Sequence, residues 1–94
     1  MNLDLFSIRL KQLRLDRELT LDMVAYDMRQ KYNLSISKGI ISKWENGVNL
    51  PTIYYAKYLA LYFNVSLDYL VGTTDAKTPI DLLARKYTKE DKNG

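Results

Sequence analysis

From Leu5 to Leu19, apolar residues recur at close to helical spacing, with Leu5, Ile8, Leu10, Leu13 and Leu15 set among charges. The spacing predicts a first helix there, with Asp4 as a cap at its start. Arg17-Glu18 leads to Thr20, a good N-cap residue. A second helix follows, carrying Leu21, Val24, Ala25 and Met28 on one side, and Asp22 in its first turn suits the helix dipole. "KYNLSIS" then breaks the pattern, because Asn33, Ser35 and Ser37 favour caps and turns. Ser37 is placed to cap a third helix with Ile40, Ile41 and Trp44 as its inner face. Asn46-Gly47 ends it, the glycine supplying a left-handed residue after the last turn. No alternating strand pattern flanks this Asn-Gly, so a hairpin is discounted.

"NLPT" reads as a turn, and Thr52 caps a fourth helix with Ile53, Ala56, Leu59, Ala60 and Phe63 at periodic positions. Asn64 ends that helix, and Ser66 caps a short fifth one, "LDYLVG", stopped by Gly72. Beyond "GTTDAKTP", one more short helix is allowed from Ile80 to about Tyr87, before a charged tail expected to be disordered. Nothing in the pattern calls for strands. The expected fold is all-α, a compact bundle of about five short helices.

Composition narrows the chemistry. At 94 residues the chain suits one domain, and 47% hydrophobic content is ordinary for a globular protein. It has no cysteine and no histidine, which removes disulfides, thiolate metal sites and the commonest general base. Its carboxylates form no convincing cluster, so neither an enzyme nor a cofactor or metal is expected. A net charge of +3 and a pI of about 9.1 are compatible with a polyanionic partner. "MNLDLFSIRL" lacks the features of a signal peptide, and the longest apolar run, "IYYAKYLALYFNV", is short for a bilayer and carries Lys57. A cytoplasmic protein without membrane contact is expected. Asn33-Leu34-Ser35 and Asn64-Val65-Ser66 match the glycosylation sequon, but both sit at cap positions and are read as structural.

Five fragments stand in a telling order: "RLKQLR", "LTLDMVA", "IISKWENG", "LPT" and "LALYFNVSLDYLVGTTD". Together they resemble the helix-turn-helix domain of the phage repressor and Cro type, shared by many bacterial regulators, over roughly residues 5 to 75. The resemblance implies a DNA-binding domain over 1–75, with 76–94 a tail or the start of a linker. It implies a third helix that enters the DNA major groove. The positions that read bases in this family fall on Lys38, Gly39 and Lys43, and a lysine can donate to O6 and N7 of guanine. Ser37 is placed to bind phosphate at the helix start. Ser42 is placed for bases or phosphate, and Asn46 for the backbone of the far strand. The resemblance also pairs Arg14 with Glu45, orienting the third helix, with Arg14 facing a phosphate as well. The implied function is a sequence-specific repressor of phage or prophage type, binding an inverted-repeat operator as a homodimer.

Three departures from the family pattern stand out. The distance from Ala25 to Ile41 is longer by about six residues, which "YDMRQKYNLSIS" must absorb. The second helix is expected to run on to about Lys31, bringing Arg29, Lys31 or Tyr32 towards the DNA edge. Leu21 stands where a phosphate-binding polar residue is usual, and Gly39 lies inside the third helix, at about 1 kcal/mol against alanine. Tyr55, Tyr58 and Tyr62 share one side of the fourth helix and admit two readings, internal packing or a dimer surface. The same module also serves as an antitoxin that neutralises a protein toxin and represses its own operon. A toxin or an antirepressor is therefore the alternative protein partner.

Overall fold

Hydroxyl side chains punctuate the chain. After α1 (Leu3–Asp16), the helices α2 (Leu21–Tyr32), α3 (Lys38–Glu45), α4 (Ile53–Phe63) and α5 (Leu67–Val71) follow Thr20, Ser37, Thr52 and Ser66. Each of those four side chains accepts the N–H three residues on, which satisfies an otherwise orphaned donor and is worth ~1 kcal/mol. The stops are as local as the starts. Asn33, Asn64, Gly47 and Gly72 all take positive φ just past a helix. The computed structural model describes residues 3–78, and those residues form helices and turns without a strand. The short helix expected from Ile80 and the charged tail lie outside the described residues.

Packing joins α1 to α3 and α5, α2 to α3 and α4, and α4 to α5. Phe6, Leu10, Met28, Ile41, Leu59 and Phe63 are fully buried at the centre. Burial of large side chains of this kind stabilises by ~1.5–3 kcal/mol each. Helix α1 corrects the expected pattern. It begins before Asp4, which lies in its first turn and is not its cap. It also stops at Asp16, because Glu18 turns left-handed at φ 56 and the Leu19 N–H returns to the Arg14 carbonyl. Its inward stripe is Phe6, Leu10 and Leu13, while Ile8 and Leu15 are exposed. Each exposed residue lies two positions beyond a buried one, which on a helix is more than half a turn away.

Two further apolar positions differ from expectation. Ile40 is 40% exposed and Ile53 is 63% exposed. Ile40 is one residue from buried Ile41, about a quarter-turn off the inner face. Ile53 falls at the edge of the arc set by Ala56, Leu59, Ala60 and Phe63.

The segment after α5 is tied back onto the bundle. The Arg9 guanidinium donates to the carbonyls of Tyr69 and Thr74, pairs with Asp75 and lies over the Tyr69 ring. The Ser66 N–H donates to the Lys77 carbonyl at 2.8 Å. Tyr62 makes a comparable tie between helices, its hydroxyl donating to the Asp27 carboxylate. Burial, and then this hydrogen bond, push the Tyr62 hydroxyl well above the usual tyrosine range. The folded chain therefore holds that proton more tightly than the unfolded chain does. Its stability contribution is complete below the ordinary tyrosine pKa of about 10 and is lost as pH rises beyond it. Thermal unfolding should fall in midpoint above pH about 10, and less steeply in Tyr62→Phe. Identical alkaline profiles for the two proteins would refute this assignment.

Candidate nucleic-acid interface

The outward face of α3 is built by subtraction. Ile41 and Trp44 turn into the core, and Glu45 turns towards α1. At 3.6 residues per turn the opposite side then carries Gly39, Ser42, Lys43 and Asn46, with Lys38 on one flank and Ile40 on the other. Ser42 is half-buried and the others are exposed. The Asn46 amide donates to the Ser42 hydroxyl at 3.2 Å, which orders two of these polar groups side by side. No carboxylate lies in the first turn of α3, and Ser37 covers the Ile40 N–H there. The Lys38 ammonium comes 3.6 Å from Asp22 of α2, an exposed pair of little energetic consequence.

Several contacts fix how this face is held. Arg14 presents Nε to one Glu45 oxygen at 2.7 Å and Nη2 to the other at 2.9 Å. Its Nη1 donates to the Leu19 carbonyl at 2.8 Å, so one guanidinium joins α1, the α1–α2 turn and α3. The two side chains are only 12% and 4% exposed. The Glu45 carboxylate holds the Arg14 guanidinium above its ordinary pKa, against the opposing effect of burial. Three of the five Arg14 N–H donors are thus turned inward. Ser7 of α1, itself buried, donates to the Trp44 carbonyl at 2.7 Å and ties the same C-terminal turn of α3 to an earlier turn of α1.

The long connection into α3 is packed. Helix α2 runs to Tyr32, and Asn33 closes it with its N–H on the Arg29 carbonyl. Leu34 and Ile36 then enter the core, while Ser35 and Ser37 face out. The carbonyls between them are gripped as well. Arg29 donates to Ile36 at 3.0 Å, and the Tyr55 hydroxyl donates to Ser35 at 3.1 Å. Arg29 is thus drawn back beside the entrance to α3. The Tyr32 and Tyr58 rings meet at a tilt of 37° with centroids 4.9 Å apart, and the Lys31 ammonium lies over the Tyr62 ring. Tyr55, Tyr58 and Tyr62 are all half-buried against the core. The outermost residues of α4 are Ile53, Tyr54, Lys57 and Leu61.

Sequence reasoning overlooked Ser7, Leu34, Ile36 and the Asp22–Lys38 contact. The alternation Leu34-Ser35-Ile36-Ser37 was the available signal, since alternate apolar residues mark extended chain with one buried face. Among the described residues no helix is long and apolar enough to cross a membrane, and no group of acidic side chains is placed to hold a metal ion.

Comparison with known proteins bears on this arrangement. The helix-turn-helix family profile matches residues 10–70. The chain is 30% identical over 85 residues to the HTH-type transcriptional activator BcrR of Enterococcus faecalis, covering 90% of this chain and 39% of that protein. The chain thus spans about two-fifths of the length of the curated relative it matches. No solved structure matches significantly.

Proposed function

The chain belongs to the helix-turn-helix family, and from that premise we propose that it is a DNA-binding transcriptional regulator of phage-repressor type that recognises an inverted-repeat operator as a homodimer. One observation carries the reading. The exposed face of α3 bears Lys38, Gly39, Ser42, Lys43 and Asn46 and no acidic group, on a helix whose C-terminal turn is held to α1 by two inward contacts. A rigid helix with donors on its outer face is what readout of base edges in the major groove requires.

In this reading Lys43 and Ser42 face bases, with Lys38 at the groove edge beside Asp22. Ser37 and Asn46 position the helix on the phosphates. Arg14 acts through Glu45 and sets the angle of α3. Pairing of two copies uses the outward side of α4, where Ile53, Tyr54 and Leu61 are exposed and Tyr55, Tyr58 and Tyr62 supply the edge. The similarity to an activator concerns the same module. Whether a bound regulator represses or activates depends on where its site lies relative to a promoter.

Selection of bound sequences from a random duplex pool tests both parts. The expected product is an inverted repeat with half-sites about one helical turn apart, bound less tightly as salt rises. A lone half-site would remove the dimer, and recovery of no motif at low salt would remove the DNA-binding reading itself.

A further inference from the structure

Gly39 has no intramolecular reason to be glycine. Its φ is not in the left-handed region, unlike Gly47 and Gly72. A Cβ built there would meet only the Ser37 hydroxyl, at 3.8 Å, an ordinary van der Waals separation. Alanine would therefore fit the fold, and it loses less backbone freedom on folding than glycine does. Yet Gly39 lies opposite Ile41 and Trp44, on the exposed face in the first turn of α3, one turn before Ser42 and Lys43.

We propose that Gly39 is the point of closest approach between α3 and the duplex, where the edge of a base pair packs directly against the bare Cα. The inference rests on the DNA-binding reading above and deepens it. Side chains at Lys38, Ser42 and Lys43 border the position, so the missing side chain at 39 makes a shallow notch. The notch lets the helix backbone sit deeper in the groove, and the depth sets the reach of the flanking lysines. Position 39 thus selects by steric fit, and base readout by Lys43 depends on it.

The test is Gly39→Ala, compared with the wild-type chain on the duplex recovered by selection. Circular dichroism should show an unchanged fold with an equal or higher melting temperature. Reduced backbone freedom alone would leave binding equal or tighter. Close approach instead predicts a loss of about tenfold or more, because a methyl in a packed contact forces the surfaces apart. The loss should also remove most of the further effect of Lys43→Ala, since the lysine no longer reaches. A Gly39→Ala variant that binds the selected duplex as tightly as wild type would overturn the notch and leave the DNA-binding reading standing. If the wild-type chain itself selects no duplex, both fall.

Discussion

Glu45→Ala should lower the stability of the folded chain by ~3–5 kcal/mol, the cost of breaking a buried ion pair by removing one partner. The Glu45 side chain is 4% exposed, and both its oxygens accept from Arg14. Truncation leaves the guanidinium with the Leu19 carbonyl as its remaining acceptor. Arginine cannot escape by losing its proton. A domain of this size has only about 5–15 kcal/mol in total, so urea unfolding should shift to much lower midpoints. Replacing both partners, as Arg14→Met with Glu45→Leu, should restore most of that loss, since no orphaned charge remains. A loss under about 1 kcal/mol in Glu45→Ala would mean that the pair behaves as a surface pair.

The same pair marks the boundary of what was legible in the chain. Caps are local, so Thr20, Ser37, Thr52 and Ser66 could be read from single residues and the few that follow. The Asn and Gly stops are equally local. The Arg14–Glu45 contact spans 31 residues, and only the resemblance placed the two together. Ser7 and its grip on the Trp44 carbonyl span more, and no short-range pattern distinguishes that serine from any other.

Inner faces were legible where the stripe was dense and less so where apolar residues were scattered. In α4 the run Ala56, Leu59, Ala60, Phe63 allows one arc, and those residues are buried. In α1, leucines and Ile8 occur on several sides, so periodicity alone did not choose Phe6, Leu10 and Leu13. The connection before α3 failed for another reason. Its serines advertise a turn, and the two apolar residues between them are too few to set a period. Leu34 and Ile36 are nevertheless core residues, and the extra chain length becomes a longer α2 and a packed strap. That strap is held by Arg29 and Tyr55 at the entrance to α3.

The largest functional effect is expected from Lys38→Ala combined with Lys43→Ala. A well-formed lysine–guanine contact at Lys43 contributes ~1–3 kcal/mol of discrimination and Lys38 adds a charge at the groove edge, so the double variant should lose about a hundredfold or more on the selected duplex. The two lysines are not equivalent. Lys43 stands on the outer side of α3, away from Ile41 and Trp44, while Lys38 lies on the flank that meets Asp22. Lys43→Ala should therefore relax sequence preference most strongly. Lys38→Ala should weaken selected and unselected duplexes more evenly, because it removes a charge at the groove edge and leaves Asp22 unopposed. Asp22→Asn provides the converse, strengthening binding at low salt with little effect at high salt, where the Debye length falls towards ~3 Å. Neither lysine belongs to the core, so thermal stability should stay within about 0.5 kcal/mol of wild type. Equal loss of binding from an alanine placed at Lys11, an exposed lysine of α1, would show that overall charge and not the face of α3 governs binding.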